Sequence, residues 1–106
     1  MALGKQVRLN RIFGHPSGRL CSLAVDHLVA YQHGLPPGLR NVPETLNLLV
    51  QGKPDAVTMY KGMAEHAWLP HAGSIPLILT SIAFTLDDTV MHQHARPHEC
   101  IRLGAD

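Results

Sequence analysis

The sequence predicts an α/β fold built on a parallel sheet, because short apolar runs alternate with helical patterns along its 106 residues. The runs with strand character cover residues 20–27, 55–60 and 76–80, and turn-forming residues bound them. Helical patterns separate these apolar runs, and another helical pattern follows the last run. A strand–helix–strand order favours right-handed crossovers, which make successive strands parallel.

The composition describes one small globular domain. Apolar residues make up 45% of the chain and charged residues 16%, and the formal net charge is +1. This balance argues against a nucleic acid or a membrane surface as the main partner. No apolar run reaches the roughly 20 residues of a membrane helix, and polar residues interrupt any signal-peptide core. Cys21 and Cys100 lack a tight spacing, so we expect free thiols and a cytoplasmic location.

The first 19 residues form a polar lead-in that ends in a turn cluster at 14–18. The first strand follows at 20–27. Five of its first six residues are apolar or small, which is typical of a strand buried on both faces of a parallel sheet. The exception is Ser22, whose hydroxyl can hydrogen-bond to the backbone. The strand ends in two adjacent polar residues, Asp26 and His27.

A helix is predicted to begin at residue 42, after the Gly- and Pro-rich loop at 31–41. Asn41 is a suitable N-cap, Pro43 suits the first turn, and Glu44 is favourable near the positive helix end. Gly52 is a suitable stop. One face of the helix is apolar, with residues spaced three and four apart: Leu46, Leu49 and Val50.

The remaining elements repeat this alternation. Lys61 and Gly62 directly follow the second strand, and a short helix at 63–69 should pack through Met63 and Trp68. The third strand leads into a polar stretch at 81–94 that contains a weak further strand. The last helix covers 97–103, and the residue before it, Arg96, is not a usual N-cap.

The chain contains a faint internal repeat. Residues 52–55 leave the first predicted helix with a glycine followed by an aspartate, and residues 104–106 leave the last one in a similar way. If the repeat is structural, a fourth strand should start next. Three strand–helix units cannot close a barrel of eight, so we expect residues 1–106 to be the front portion of a larger protein.

Asp26 is the first candidate for chemistry. It lies where the first strand ends, and in parallel sheets reactive groups sit just past the carboxyl ends of the strands. A carboxylate at such a place is costly to desolvate unless it is paired or used. The alternative is that Asp26 caps a turn or binds a basic neighbour.

Several short motifs, taken in order, resemble one enzyme family. They lie at 7–13, 25–27, 43–45, 55–57, 61–62, 75–79 and 101–106. Their order and spacing are similar to the class I aldolases of the archaeal-type fructose-bisphosphate aldolase group, within the deoxyribose-phosphate aldolase superfamily. The resemblance covers nearly the whole chain. It implies a (β/α)8 TIM barrel of roughly 250 residues, of which this chain matches the first three βα units.

The resemblance implies a lyase that makes or breaks a carbon–carbon bond of a sugar phosphate or keto compound. In the family a lysine forms a Schiff base with the carbonyl, and no cofactor or metal is needed. Asp26 matches a catalytic aspartate that shuttles protons or orients a hydroxyl. His27 and Lys61 match substrate-binding positions. The Schiff-base lysine belongs to a later strand without a counterpart here, so we expect this chain to be inactive alone.

Lys61 is a poor replacement for the missing nucleophile. A Schiff-base lysine must be neutral when it attacks. Lowering its pKa from about 10.4 to about 7 requires surroundings that disfavour the charged amine by on the order of 4–5 kcal/mol. An anionic Asp26 on the neighbouring strand end would oppose that change by stabilising the charged amine. We therefore expect Lys61 to form an ion pair or to contact a charge on the substrate.

Two further interpretations stay open. The spacing of His92, His94 and His98 suits a shared zinc ion, with Glu99 or Asp88 as an oxygen ligand, and the alternative is a solvated polar loop that happens to be His-rich. The other is a non-catalytic half-barrel. An unclosed three-strand sheet leaves an unpaired edge, which would drive the formation of a homo-oligomer.

Overall fold

The computed structural model describes residues 2–27, 34–84 and 90–106. Short 3-10 turns at Pro37–Leu39 and Leu69–His71 accompany the main elements. None of the helices in these ranges is long and apolar enough to cross a membrane. The main elements are α1 (Leu3–Ile12), β1 (Ser22–Ala24), α2 (Val42–Gln51), β2 (Ala56–Tyr60), α3 (Lys61–Ala67), β3 (Leu77–Thr80), β4 (Ile82–Phe84), β5 (Met91–Gln93) and α4 (Pro97–Arg102).

The predicted parallel sheet is confirmed. Its strand order is β1-β2-β3, and both pairs of neighbours are parallel. The register aligns Ala24 with Thr58, and Tyr60 with Thr80. The described residues form no closed barrel, and the weak strand expected within 81–94 is one half of a separate antiparallel hairpin, β4–β5.

The core lies on one face of β2. Val57 and Met59 are fully buried there, while Thr58 and Tyr60, which alternate with them, face the other side and stay half-buried. Met63 and Trp68 pack into this core, as predicted. The buried cluster consists of Val25, Leu39, Leu46, Val57, Met59, Met63, Ala64, Ala67, Trp68, Ile75 and Leu77.

The predicted bounds of α2 are confirmed. The side chain of Asn41 accepts a hydrogen bond of 3.4 Å from the backbone N–H of Glu44, as an N-cap residue should. Gly52 occupies the C-cap, and its N–H bonds back to Leu49. Local signals therefore suffice to define this helix.

The lead-in predicted for residues 1–19 is wrong over its first half, because Leu3–Ile12 forms the helix α1. Of its residues only Ile12 is buried, so the sequence lacks the broad apolar stripe of a packed helix. Long-range polar contacts hold α1 instead. Arg8 donates to the carbonyl of Ala105 at 3.3 Å, and Arg11 forms an ion pair of 2.9 Å with Asp106.

The prediction of a first strand buried on both faces is also wrong. The strand spans only Ser22–Ala24, and the side chains of Ser22 and Ala24 are exposed. Within the described part of the chain β1 pairs with β2 alone, so it is an edge strand. Val25, just past the strand, is the residue that enters the core. An apolar run does not distinguish an edge strand from a central one.

The helices after β2 and before the C-terminus differ slightly from expectation. The helix predicted at 63–69 begins at Lys61, immediately after the strand, and ends at Ala67. In α4 the backbone N–H of Arg96 donates to Glu99 at 2.7 Å, one half of a capping box. Glu99 therefore stabilises the start of a helix whose N-cap residue provides no side-chain oxygen.

The internal repeat is structural. Asp55 donates its N–H to the carbonyl of Cys21 at 2.9 Å, and its carboxylate accepts the N–H of Cys21 at 2.7 Å. Asp106 makes the same two bonds with Leu77, at 2.9 and 3.2 Å. Each aspartate thus joins a helix exit to the amino-terminal edge of a strand in the sheet.

Candidate functional site

The ends of the three parallel strands bring Asp26, Tyr60 and Thr80 together. Tyr60 and Thr80 are register partners, and Asp26 lies two residues beyond Ala24, the last residue of β1. Since side chains alternate along a strand, all three lie on the sheet face opposite the helix-covered core. They form a polar row at the carboxyl edge, where parallel sheets place their binding sites.

A hydrogen bond crosses the middle strand and joins the two outer members of this row. The Thr80 hydroxyl donates to a carboxylate oxygen of Asp26 over 2.8 Å. Thr80 is the one side chain in the described ranges that donates to Asp26. A carboxylate has about four lone-pair positions, so this bond orients the group and leaves acceptor capacity for a ligand.

Tyr60 lies between the strands that carry Asp26 and Thr80. Partial burial raises the pKa of its phenol above the ordinary value, and the negative charge of Asp26 raises it further. The phenol therefore stays protonated at neutral pH and can donate a hydrogen bond. Asp26 accepts hydrogen bonds, so the row offers both functions within one small region.

His94 joins the row from the β4–β5 hairpin. Its backbone N–H donates to the carbonyl of Ser81, the residue after Thr80, at 2.7 Å. Its ring stands edge-on to the Tyr60 ring, with centroids 5.5 Å apart and planes at 72°. The Nε2 atom of His94 is buried, and no described group hydrogen-bonds to it. The hairpin thus delivers an unpaired imidazole nitrogen to the carboxyl edge.

Lys61 has a different partner from the one that its position suggested. Its Nζ forms an ion pair of 3.2 Å with Glu99 of α4, and both side chains are a little over one-third exposed. The pKa of Glu99 lies below its ordinary value because the backbone N–H of Arg96 and then Lys61 bond to the carboxylate. The structure therefore joins Asp26 to Thr80, and Lys61 to Glu99.

His27 lies beside Asp26 in sequence but contributes to a different surface. It lines an open groove of about 400 Å³ that also includes the core residues Val25 and Leu39. The alternation along an extended segment explains this separation. The groove is lined by Ala24, Val25, His27, Pro36, Gly38, Leu39, Thr45 and Leu49.

The three histidines proposed as zinc ligands are not brought together. In the ranges 2–27, 34–84 and 90–106 no three His, Cys, Asp or Glu side chains are placed to hold a metal ion. His92 is exposed on β5, His94 contacts Tyr60, and His98 is exposed on α4. The spacing failed as a signal because the His94 ring lies against Tyr60 and His98 lies on a separate element, α4. Asp88, the other proposed ligand, lies outside the described residues.

Sequence reasoning named Asp26 but overlooked Tyr60, Thr80 and the role of His94. A signal for the first two existed, because each is the last residue of a predicted strand. Applying the strand-end rule to all three strands would have found them. No local signal places His94 there, since its position depends on the pairing of the hairpin. Among protein-family models, none matches this chain.

Proposed function

We propose that the carboxyl edge of the sheet is the carbonyl-binding face of a class I aldolase-type lyase. The observation that carries this proposal is the Thr80–Asp26 hydrogen bond across Tyr60, which orients a carboxylate at the strand ends. In this proposal residues 1–106 supply the first three βα units of a (β/α)8 barrel. Its substrate is a sugar phosphate or a keto compound, and the free thiols Cys21 and Cys100 suit the cytoplasm.

Asp26 is assigned the proton-shuttling role. Its carboxylate is half-buried and oriented by one neutral hydroxyl, which leaves an oxygen able to accept the proton of a substrate hydroxyl. Breaking a bond next to a hydroxyl-bearing carbon requires such a base. The protonated phenol of Tyr60 supplies a donor to an oxygen of the same substrate.

Lys61 is assigned a positioning role rather than that of nucleophile. Its ammonium group forms an ion pair of 3.2 Å with Glu99 of α4, so it already has a carboxylate partner. Attack on a carbonyl needs the neutral amine. The pair also fixes α4, and with it the chain that follows the hairpin, against the end of β2.

The test is an NMR titration of the ¹⁵N-labelled chain with dihydroxyacetone, a neutral ketone with two hydroxyls. We expect amide shifts at residues 24–27, 60–62 and 80–81. Asp26→Asn should weaken the binding about three- to tenfold, the usual range for one lost hydrogen bond. Glu65→Gln, which removes an exposed carboxylate of α3, is the matched control and should bind as the unmodified chain does.

Borohydride reduction during the titration tests the role of Lys61. Mass spectrometry of the reduced chain should find Lys61 unmodified. Shifts confined to other surfaces, or equal binding by the Asp26→Asn variant, would contradict the proposed site. A dihydroxyacetone adduct on Lys61 would instead make this lysine the nucleophile.

A further inference from the structure

We propose that Tyr60 and His94 form a hydrogen-bonding subsite beside Asp26 that holds a neutral hydroxyl group of the ligand. This inference rests on the proposed function, because the subsite is the hairpin side of the same carboxyl edge. It assigns to the β4–β5 hairpin the task of selecting a hydroxylated ligand.

The position of His94 is fixed by two independent contacts. The backbone bond to Ser81 fastens it one residue past the end of β3, at 2.7 Å. The edge-on contact with Tyr60 sets the orientation of the ring, at 5.5 Å and 72°. A residue held through both its backbone and its ring is preorganised, so ligand binding does not have to order it.

Within the described residues, each ring carries a polar atom that forms no hydrogen bond with the protein. The Nε2 atom of His94 is buried, and no group in the described ranges bonds to it. The phenol of Tyr60 likewise has no hydrogen-bond partner within those ranges. Buried polar atoms are normally paired, so the buried Nε2 atom, beside a half-buried phenol without a partner in the described ranges, indicates a place where a ligand atom completes the bonding.

The chemistry of the two rings favours a hydroxyl over an anion. A neutral imidazole nitrogen either donates or accepts, and a hydroxyl satisfies both cases, while the phenol adds a donor. A phosphate or carboxylate would be repelled by the Asp26 carboxylate close to Tyr60. The ammonium of Lys61, which would attract an anion, is already engaged by Glu99.

The experiment compares dihydroxyacetone with acetone, which lacks the hydroxyls, on the full chain and four variants. His94→Phe keeps a ring against Tyr60 without the nitrogen, and Tyr60→Phe removes only the hydroxyl. His92→Phe is the matched control because His92 is exposed on β5, the strand that ends one residue before His94. The fourth, Asp26→Asn, is the reference for the proposed carboxylate. Dispersed amide spectra verify that each variant is folded.

We expect His94→Phe and Tyr60→Phe each to weaken dihydroxyacetone binding about three- to tenfold and to leave acetone binding unchanged. The ring-nitrogen signal of His94 should shift on adding dihydroxyacetone, which a purely structural role would not produce. Carboxyl-edge shifts without a His94 shift, and with equal binding by both variants, would overturn the subsite and leave the proposed function standing. Absence of carboxyl-edge shifts in every protein would overturn both.

Discussion

The two edges of the parallel sheet use carboxylates in opposite ways. At the amino edge, Asp55 and Asp106 each accept a backbone N–H and donate their own, and Asp106 is also paired with Arg11. At the carboxyl edge, Asp26 accepts one side-chain hydroxyl in the described structure, that of Thr80. Charge-assisted hydrogen bonds hold the amino edge together, whereas the Asp26 carboxylate keeps acceptor capacity beyond its bond to the described residue Thr80.

This difference separates stability from function along one sheet. A carboxylate that bonds backbone N–H groups at a strand start fixes the register and cannot be offered to a ligand. One that is oriented by a single hydroxyl keeps its hydrogen-bonding capacity. The same division, with stability at the bottom and chemistry at the top, is general in parallel α/β folds.

The largest predicted difference is in the free energy of unfolding after an aspartate of either edge is replaced. Asp106→Ala removes the bonds to Arg11 and to the N–H of Leu77 from a side chain that is 3% exposed, and should lower the free energy of unfolding by about 2–3 kcal/mol. Asp26→Ala should cost less than about 1 kcal/mol, because the Thr80 hydroxyl can bond to water instead. Urea denaturation measures both. Equal losses would mean that both edges are structural.

A smaller change in stability is expected from substitutions in the short segments that join α2 to Asp55 and α4 to Asp106. Lys53 and Gly104 precede Asp55 and Asp106 by two residues, and both have positive φ, at +49° and +83°. This conformation favours glycine, so Lys53→Gly should stabilise the fold by about 0.5–1 kcal/mol and Gly104→Ala should destabilise it by a similar amount. Thermal unfolding compares the two.

The matched control for these exits is Gly38→Ala. Gly38 lacks the positive φ, and an added Cβ would meet nothing within 4 Å, as is also true at Gly104. The Gly38→Ala substitution should change the free energy of unfolding only slightly. A loss of stability in Lys53→Gly would show that the lysine side chain, and not the backbone conformation, is what the exit requires.

Local signals in the sequence predict some of this molecule and miss the rest for identifiable reasons. The cap at Asn41, the stop at Gly52 and the parallel order depend on neighbouring residues, and all three were predicted. The helix α1 was missed because Arg8 and Arg11 hold it through residues almost one hundred positions away. At the site, Asp26 was found from its strand end, whereas the position of His94 depends on hairpin pairing.

The smallest predicted effect is a change in the pKa of Tyr60, which reports how close the Asp26 carboxylate lies to the phenol. With Tyr31→Phe as background, Tyr60 is the remaining tyrosine, and its phenolate absorbance should appear above the ordinary pKa of 10.0. Asp26→Asn should lower that pKa only in part, because partial burial is the larger cause. An unchanged pKa would place the Asp26 charge too far from Tyr60 to share a ligand.

The sign of the accompanying stability change follows from the raised pKa. The folded state holds the phenol proton more tightly than the unfolded chain, so this contribution is complete below the unfolded pKa, near pH 10, and is lost as the pH rises through the folded value. Tyr60→Phe should therefore make unfolding less sensitive to alkali. Asp26→Asn should do so to a smaller degree, since it removes only the minor cause and leaves the burial of the ring in place.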